Sequence, residues 1–169
     1  HGTQPAGLHG IDIDEQAANQ SRQRLQKAGA SLIDIRGGDA LAAEPLLPLG
    51  TFDAVLANPP YVSIRELARR HTTDYIRALR QRFQTARGNF DLYVLFIERC
   101  LAWLRPGGRC GLIVPNKWAT LDYARPCREL LAKQTTIDQV VDLSAHRVFR
   151  EASVYPHLLV FTKRIVSQR

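Results

Sequence analysis

Four consecutive residues, Asn58-Pro59-Pro60-Tyr61, combine an amide carbonyl, two ring-locked backbones and an aromatic face. Proline holds its φ at about −65° and has no N–H to donate, and it drives the residue before it away from helical geometry. The result is a stiff, extended tip, and such a tip suits one chemical problem. An amine attached to an aromatic base, as on adenine, has its lone pair delocalised into the ring and is a poor nucleophile. Two acceptors that hold both of its N–H groups favour a pyramidal nitrogen and turn the lone pair toward an electrophile. Asn58 offers a side-chain carbonyl. Pro59 offers a backbone carbonyl, stiffened by Pro60, and Tyr61 a flat face on which a base can stack. Acceptors fixed in advance need not reorganise as charge develops, and holding the amine in line with a methyl donor removes much of the entropic barrier. No metal and no strong base is needed, because the nitrogen can lose its proton after transfer. The plainer reading of the same residues is a structural Pro-Pro turn.

The elements that must position this tip alternate between strand and helix patterns. Leu8 to Ile13 reads as a strand, Asp14 to Ala28 as a polar helix, and Leu32 to Arg36 as a second strand ending at Gly37-Gly38-Asp39. Phe52 to Ala57 is a third strand, which delivers the tip. Ile64, Leu67, Ala68, Ile76, Leu79 and Phe83 then recur at helical spacing. Asp91 is placed to cap a very apolar helix, Leu92 to Leu104, which ends at Pro106-Gly107-Gly108. Arg109 to Val114 is a fourth strand, and a helix follows from Ala119 to Lys133. Ile137 to Leu143 and Tyr155 to Thr162 are strands joined too closely for a crossover helix, so they pair antiparallel. The alternation predicts a doubly wound α/β sheet in a single domain.

Composition narrows the class. The 169 residues are 45% hydrophobic, enough for a domain with a sizeable core. No apolar run reaches the roughly 18 residues of a membrane span. Cys100, Cys110 and Cys127 are widely spaced with no C-x-x-C pair, which argues for small core residues in a reducing cytoplasm and against a zinc site or a disulfide framework. The net charge is +7, and residues 62–88 hold seven arginines (65, 69, 70, 77, 80, 82 and 87) against Glu66 and Asp74. Such a segment suits a polyanionic partner; a solvated helix face is the plainer alternative.

In α/β sheets ligands sit beyond the carboxyl ends of strands, so strand ends are candidate sites. Asp12 closes the first strand, where an acid commonly accepts from both ribose hydroxyls of a nucleoside cofactor, while Asp14 is better placed to cap the next helix. Asp39 ends the second strand and can accept from an exocyclic amine. The plainer reading is that Asp12 and Asp14 are both capping acids, and Asp39 alone is a weaker signal still. Asn58 to Tyr61 ends the third strand, and the three tips are expected on one edge of the sheet.

Several of these stretches resemble a known family. FDAVLANPPYV (52–62), DLYVLFIERCLAWLRPGGRCGLIVPNKW (91–118) and VVDLSAHRVFREASVYPHLLVF (140–161) are similar to the adenine-specific DNA methyltransferases of restriction–modification systems, the TaqI-like and type IIG group with the N-P-P-Y motif. The resemblance implies a Rossmann-like methyltransferase fold that takes S-adenosyl-L-methionine. The sheet order would be three, two, one, four, five, seven, six, with the seventh strand antiparallel. It assigns Asp12 to the cofactor ribose, Ile13 to the face of the cofactor adenine and Asp39 to its amine. Asn58 and Pro59 become the acceptors for the target amine within the motif Asn58, Pro59, Pro60 and Tyr61. Tyr61 stacks on the target base and Phe149, in the last hairpin, contacts it; as a plain hydrophobe Phe149 reads equally well as core. The base must leave the duplex to reach such a pocket. Arg65, Arg69, Arg70, Arg77, Arg80 and Arg82 are then expected along the backbone of double-stranded DNA, with a target-recognition domain and a fused or separate restriction endonuclease as partners.

One departure stands out. The glycine-rich loop that cradles the methionine part of the cofactor is expected about twenty residues before Asp12, and eleven residues precede Asp12 here. The reading is therefore a partial catalytic domain over 1–169 that lacks its first strand and has its cofactor loop upstream. The sheet would either keep a slot at that place or close across it. Two other readings use the same residues. One is an N-P-P-Y methyltransferase acting on a glutamine amide of translation release factors. The other is a DNA-binding relic that has lost its chemistry.

Overall fold

The computed structural model describes residues 7–144 and 155–165. Internal contacts divide the chain into two units, His1–Pro48 and Leu49–Arg169. The first consists of strand β1 (Leu8–Asp12), helix α1 (Glu15–Lys27) and strand β2 (Ile33–Gly37). The two strands pair in parallel, with Leu8 opposite Ile33 and Asp12 opposite Gly37. The α1 helix begins where the Asp14 carboxylate accepts from the N–H groups of Gln16 and Ala17. This is the cap read from sequence, and it satisfies donors that a helix start leaves open. The helix packs on both strands and buries Ala18 completely, beside the buried Ile35 of β2.

The second unit holds β3 (Phe52–Ala57), α2 (Ile64–Arg70), α3 (Thr73–Arg82), α4 (Leu92–Trp103), β4 (Leu104–Pro115), α5 (Lys117–Thr120), a 3-10 turn (Asp122–Ala124), α6 (Arg125–Gln134), β5 (Thr135–Asp142) and β6 (Pro156–Lys163). Its sheet runs β3-β4-β6-β5. β3 and β4 are parallel, and β6 is antiparallel to both of its neighbours, as expected for strands with no crossover helix between them. The sheet order implied by the resemblance, less its first strand, falls into a pair and a four-stranded piece. The two sheets have those orders. Among the described residues β1 pairs with β2 alone and β3 with β4 alone, so each keeps one open ladder edge. The fold is α/β, mostly parallel, with an antiparallel closing strand.

Four local differences from the sequence reading have physical causes. The helical stretch 64–83 is two helices, because His71 turns extended and Thr72 caps α3 by accepting from the Tyr75 N–H. Ser63 likewise caps α2, accepting from Glu66, in the Ser-x-x-Glu pattern that marks a helix start. The stretch 119–133 is also broken: Leu121 is extended and Pro126 restarts the chain in the first turn of α6, where a missing N–H costs nothing. β4 starts at Leu104, opposite Phe52, and passes through Pro106-Gly107-Gly108 with a register shift before Arg109 pairs with Ala54. Glycine is required there, because Gly107 has φ +78° and a side chain at Gly108 would meet the Phe52 carbonyl at 2.7 Å. The fourth difference concerns Asp91, at the start of α4, whose side chain makes no capping bond.

The core of this unit lies between one face of the sheet and α4 and α6. Cys110, Leu112, Val114, Leu159 and Phe161 are wholly buried from the sheet, and Val94, Leu95, Ile97, Cys100 and Cys127 from the helices. All three cysteines are thus core residues. The opposite sheet face carries Leu56, which is 86% exposed, with Ile113 and Leu158 partly covered.

Candidate active site at the tip of the third strand

β3 delivers Asn58 and Pro59 directly beyond its last paired residue, Ala57, which lies opposite Leu112 of β4. Asn58 and Pro60 are exposed, Pro59 is buried and Tyr61 half-buried. The tip is held at both ends. The ladder with β4 fixes its start. Beyond it, the Leu92 N–H donates to the Val62 carbonyl at 2.7 Å and the Ile64 N–H to the Phe90 carbonyl at 2.9 Å, around an antiparallel bridge between Ser63 and Asp91. Five residues anchored this way lose little further freedom when a ligand binds.

Tyr61 supplies a third anchor. Its hydroxyl stands 3.0 Å from the Ile113 carbonyl, near the end of β4, and 3.2 Å from Asn58 Oδ1. A tyrosine has a single proton to donate, so it shares these two acceptors, and the Asn58 carboxamide is drawn toward the ring with a lone pair still open to solvent. Burial pushes the Tyr61 hydroxyl above its ordinary pKa, which keeps it a donor at neutral pH. Beside the tip, Leu56, Ala57, Asn58, Gly111, Leu112, Ile113 and Leu158 surround an open hollow of about 380 Å³. The walls are almost wholly apolar, the usual character of a small-molecule pocket.

The other unit carries the predicted cofactor residues. Asp12 and Gly37 are opposite one another at the ends of β1 and β2, and the Gly38 N–H donates to the Asp12 carbonyl at 2.8 Å. The Asp12 side chain accepts from the Asp14 N–H at 2.9 Å through Oδ1, and Asp39 accepts from the Leu41 N–H at 2.8 Å. Ile13 is 75% exposed. Two carboxylates and an exposed aliphatic side chain just beyond the ends of β1 and β2 suit a nucleoside: hydroxyls and an amine need acceptors, and a base needs an apolar surface. The structure therefore brings Asp12, Ile13 and Asp39 together in one unit, and Asn58, Pro59, Pro60 and Tyr61 in the other. Phe149 lies outside the described residues.

The six arginines expected along DNA differ in what they do. Arg70 pairs with Glu66 at 2.8 Å and Arg77 with Asp74 at 2.7 Å; both pairs are exposed and worth little. The Arg80 guanidinium donates to the carbonyls of Ala86 and Gly88 and lies over the Phe90 ring. Arg82 lies over Phe83. Arg65 and Arg69 are exposed on α2 and make no ion pair among the described residues.

The sequence reading missed three participants in the tip: the Ile113 carbonyl, and the side chains of Tyr93 and Tyr123. Tyr93 is fully buried and meets the Tyr61 ring edge-on. A tyrosine amid the apolar run of α4 was the available signal, because a buried phenol needs a partner for its hydroxyl.

Residues 44–149 match the sequence model of the Eco57I restriction-modification methylase family. The chain is 36% identical over 114 residues to the type II methyltransferase M.XhoI of Xanthomonas vasicola, covering 67% of this chain and 20% of that enzyme. It is 28% identical over 142 residues to the type II restriction enzyme and methyltransferase RM.Eco57I of Escherichia coli, covering 80% of this chain and 14% of that one. The chain thus spans a fifth or less of these relatives. Among solved structures it is similar to a Listeria monocytogenes protein described as a class I S-adenosylmethionine-dependent methyltransferase. The TM-score there is 0.75 at 18% identity, over 96% of this chain and 46% of that one. It is also similar to the M protein of the type I restriction enzyme EcoKI, with a TM-score of 0.68 at 18% identity, over 95% of this chain and 32% of that one. At such identities the structural likeness speaks to the fold.

Proposed function

The chain belongs to the Eco57I restriction-modification methylase family, and from that premise we propose that it carries the target-amine half of an adenine-specific DNA methyltransferase acting within a restriction–modification system. The observation that carries the reading is the tip itself: a carboxamide and a proline carbonyl at a strand end, clamped on both sides and tied to an aromatic ring. S-adenosylmethionine, when bound, supplies the methyl group as a sulfonium-activated electrophile. Asp12 and Asp39 would hold its nucleoside through their carboxylates, with Ile13 against the adenine ring.

The protein's own part in the reaction is to bind and aim the amine. Asn58 Oδ1 and the Pro59 carbonyl accept from its two N–H groups. Tyr61 lends its ring to the base and its hydroxyl to the orientation of Asn58. The apolar walls of the hollow beside Asn58 offer a surface against which a base can lie. The extra proton on nitrogen leaves after transfer, so no side chain in the site must act as a strong base. Arg65 and Arg69 are the members of the basic segment best placed to meet a phosphate backbone; Arg70 and Arg77 can do so at the small cost of an exposed pair.

Substituting Asn58 by Ala tests this reading in the protein that carries the chain. One acceptor lost at a developing charge is worth about 10²–10³ in turnover. Labelled-methyl transfer to duplex DNA should fall by that factor. Cofactor affinity by calorimetry should stay within about twofold, because Asn58 faces the amine and not the cofactor. Equal loss of both would remove the assignment. Transfer to a glutamine of a release factor, with no duplex binding, would move the chain to a different substrate class.

A further inference from the structure

Asp91 begins a helix without capping it, and its carboxylate has another occupation. The Tyr123 hydroxyl, on the 3-10 turn, donates to Asp91 Oδ2 at 2.8 Å. That spends the one proton Tyr123 has, so the Tyr93 hydroxyl, 2.7 Å away, is the donor to Tyr123. The bonds run in one direction, from Tyr93 through Tyr123 to Asp91. The rings follow the same path. Tyr123 meets Tyr93 edge-on, with centroids 6.5 Å apart, and Tyr93 meets Tyr61 edge-on at 6.4 Å and 81°. Tyr93 is fully buried, so its place is set by these partners and not by solvent.

Two independent contacts bring the array to the tip. The Tyr93 ring braces the Tyr61 ring from below. Asp91 itself lies opposite Ser63 in the bridge that fixes the far end of the tip. A carboxylate that gives up a capping bond, worth about 1 kcal/mol elsewhere, to hold a hydroxyl 32 residues away in sequence is placed for that hydroxyl.

We infer that Asp91, Tyr123 and Tyr93 are positioning residues for Tyr61, setting the plane on which the target base stacks and, through the Tyr61 hydroxyl, the direction of Asn58 Oδ1. The inference rests on the methyl-transfer reading of Asn58 and Tyr61. None of the three touches the reacting atoms; each acts through Tyr61. Burial raises the pKa of both Tyr93 and Tyr123, so the hydroxyls keep their protons across the neutral range and the array does not switch with pH there.

The test uses Tyr123→Phe, Asp91→Ala and Asp91→Asn in the whole protein that carries the chain. Tyr123→Phe and Asp91→Ala should lower kcat for methyl transfer about three- to tenfold and leave the DNA KM within about twofold, since the array aims the base and does not bind the duplex. Asp91→Asn should restore kcat to near the parent value, because Asn Oδ1 still accepts from Tyr123. Hydrogen exchange gives a second readout that needs no activity. In Tyr123→Phe the amides from Tyr61 to Ile64 should exchange several-fold faster, with those of β6 unchanged. A Tyr123→Phe protein with parental kcat and parental exchange at the tip overturns the inference. So does a loss of protection spread evenly over the whole unit, which is the mark of general destabilisation. A parent protein that methylates no adenine overturns the reading of the site instead, and the exchange experiment then judges the array by itself.

Discussion

Glu98 of α4 is the point at which the loop before Asp91 can be cut loose. Its carboxylate accepts from the Gln84 N–H at 3.1 Å through Oε1, and through Oε2 from the Thr85 N–H at 2.9 Å and the Thr85 hydroxyl at 2.7 Å. Thr85 is completely buried, with Phe83, Ala86 and Phe90 buried around it. Its hydroxyl has one other neighbour, the Val94 carbonyl at 3.4 Å, which is at the limit of a useful bond. Truncating Glu98 to Ala removes three bonds to its carboxyl group and leaves two buried donors without a partner. The Gln84 bond is exposed and worth about 0.5 kcal/mol; each Thr85 donor left unpaired costs about 1–1.5 kcal/mol. The loss is therefore about 3 kcal/mol. At about 2–4 °C per kcal/mol for a chain of this size, the unfolding midpoint should drop by about 6–12 °C. Glu98→Gln, with its one amide oxygen turned to Thr85, keeps both Thr85 bonds and gives up the exposed Gln84 bond, so it should lose no more than half as much. Calorimetric unfolding of the parent and both variants reads the difference directly. A midpoint within 2 °C of the parent for Glu98→Ala, or equal losses for Ala and Gln, would show that the carboxylate does not hold the loop.

Two further outcomes follow from charge. Arg65→Ala together with Arg69→Ala should flatten the slope of log affinity against log salt by about 1.8 on duplex DNA, at about 0.9 per phosphate contact, and filter binding between 50 and 200 mM salt measures it; an unchanged slope removes both residues from the DNA face. Alkali should destabilise the fold. Burial pushes the Cys127 thiol from its ordinary 9.0 up to about 12, and it raises Tyr93 and Tyr123 as well. These groups are neutral when protonated and hold their protons more tightly folded than unfolded. Their contribution is complete below pH 9 and is lost as the pH rises toward 12. Urea midpoints taken from pH 8 to 11 should fall steadily above 9, and a flat profile would mean that these groups are solvated.

What the sequence disclosed about this chain, and what it kept back, divides along the distance between interacting residues. β3 was readable to the residue, because a short apolar run stopped by Asn58-Pro59-Pro60 has one local solution. Asp14 was readable as a cap for the same reason: its partners lie two and three residues on. The antiparallel entry of β6 followed from the lack of chain for a crossover. Even the breaks that periodicity passed over, at Thr72 and Pro126, had local signals in a threonine that can cap and a proline that can only start a helix. Asp91 had the right local signal for the wrong partner. Its placement before an apolar helix says cap, yet Tyr123 lies on another element and competes for the same carboxylate with a half-buried phenol. The N–H groups at the start of α4 can turn to other acceptors: the Leu92 N–H takes the Val62 carbonyl and the Val94 N–H takes the Asp91 carbonyl. The bond that yields is the one whose donors have somewhere else to go. The same rule explains the tip. Asn58 and Tyr61 announce themselves because their chemistry is local, but what fixes them is Ile113, 52 residues away, and a tyrosine pair that no spacing rule connects to them. The motif names the groups proposed to meet the substrate, whereas the contacts that hold those groups in place come from side chains that only the fold brings near.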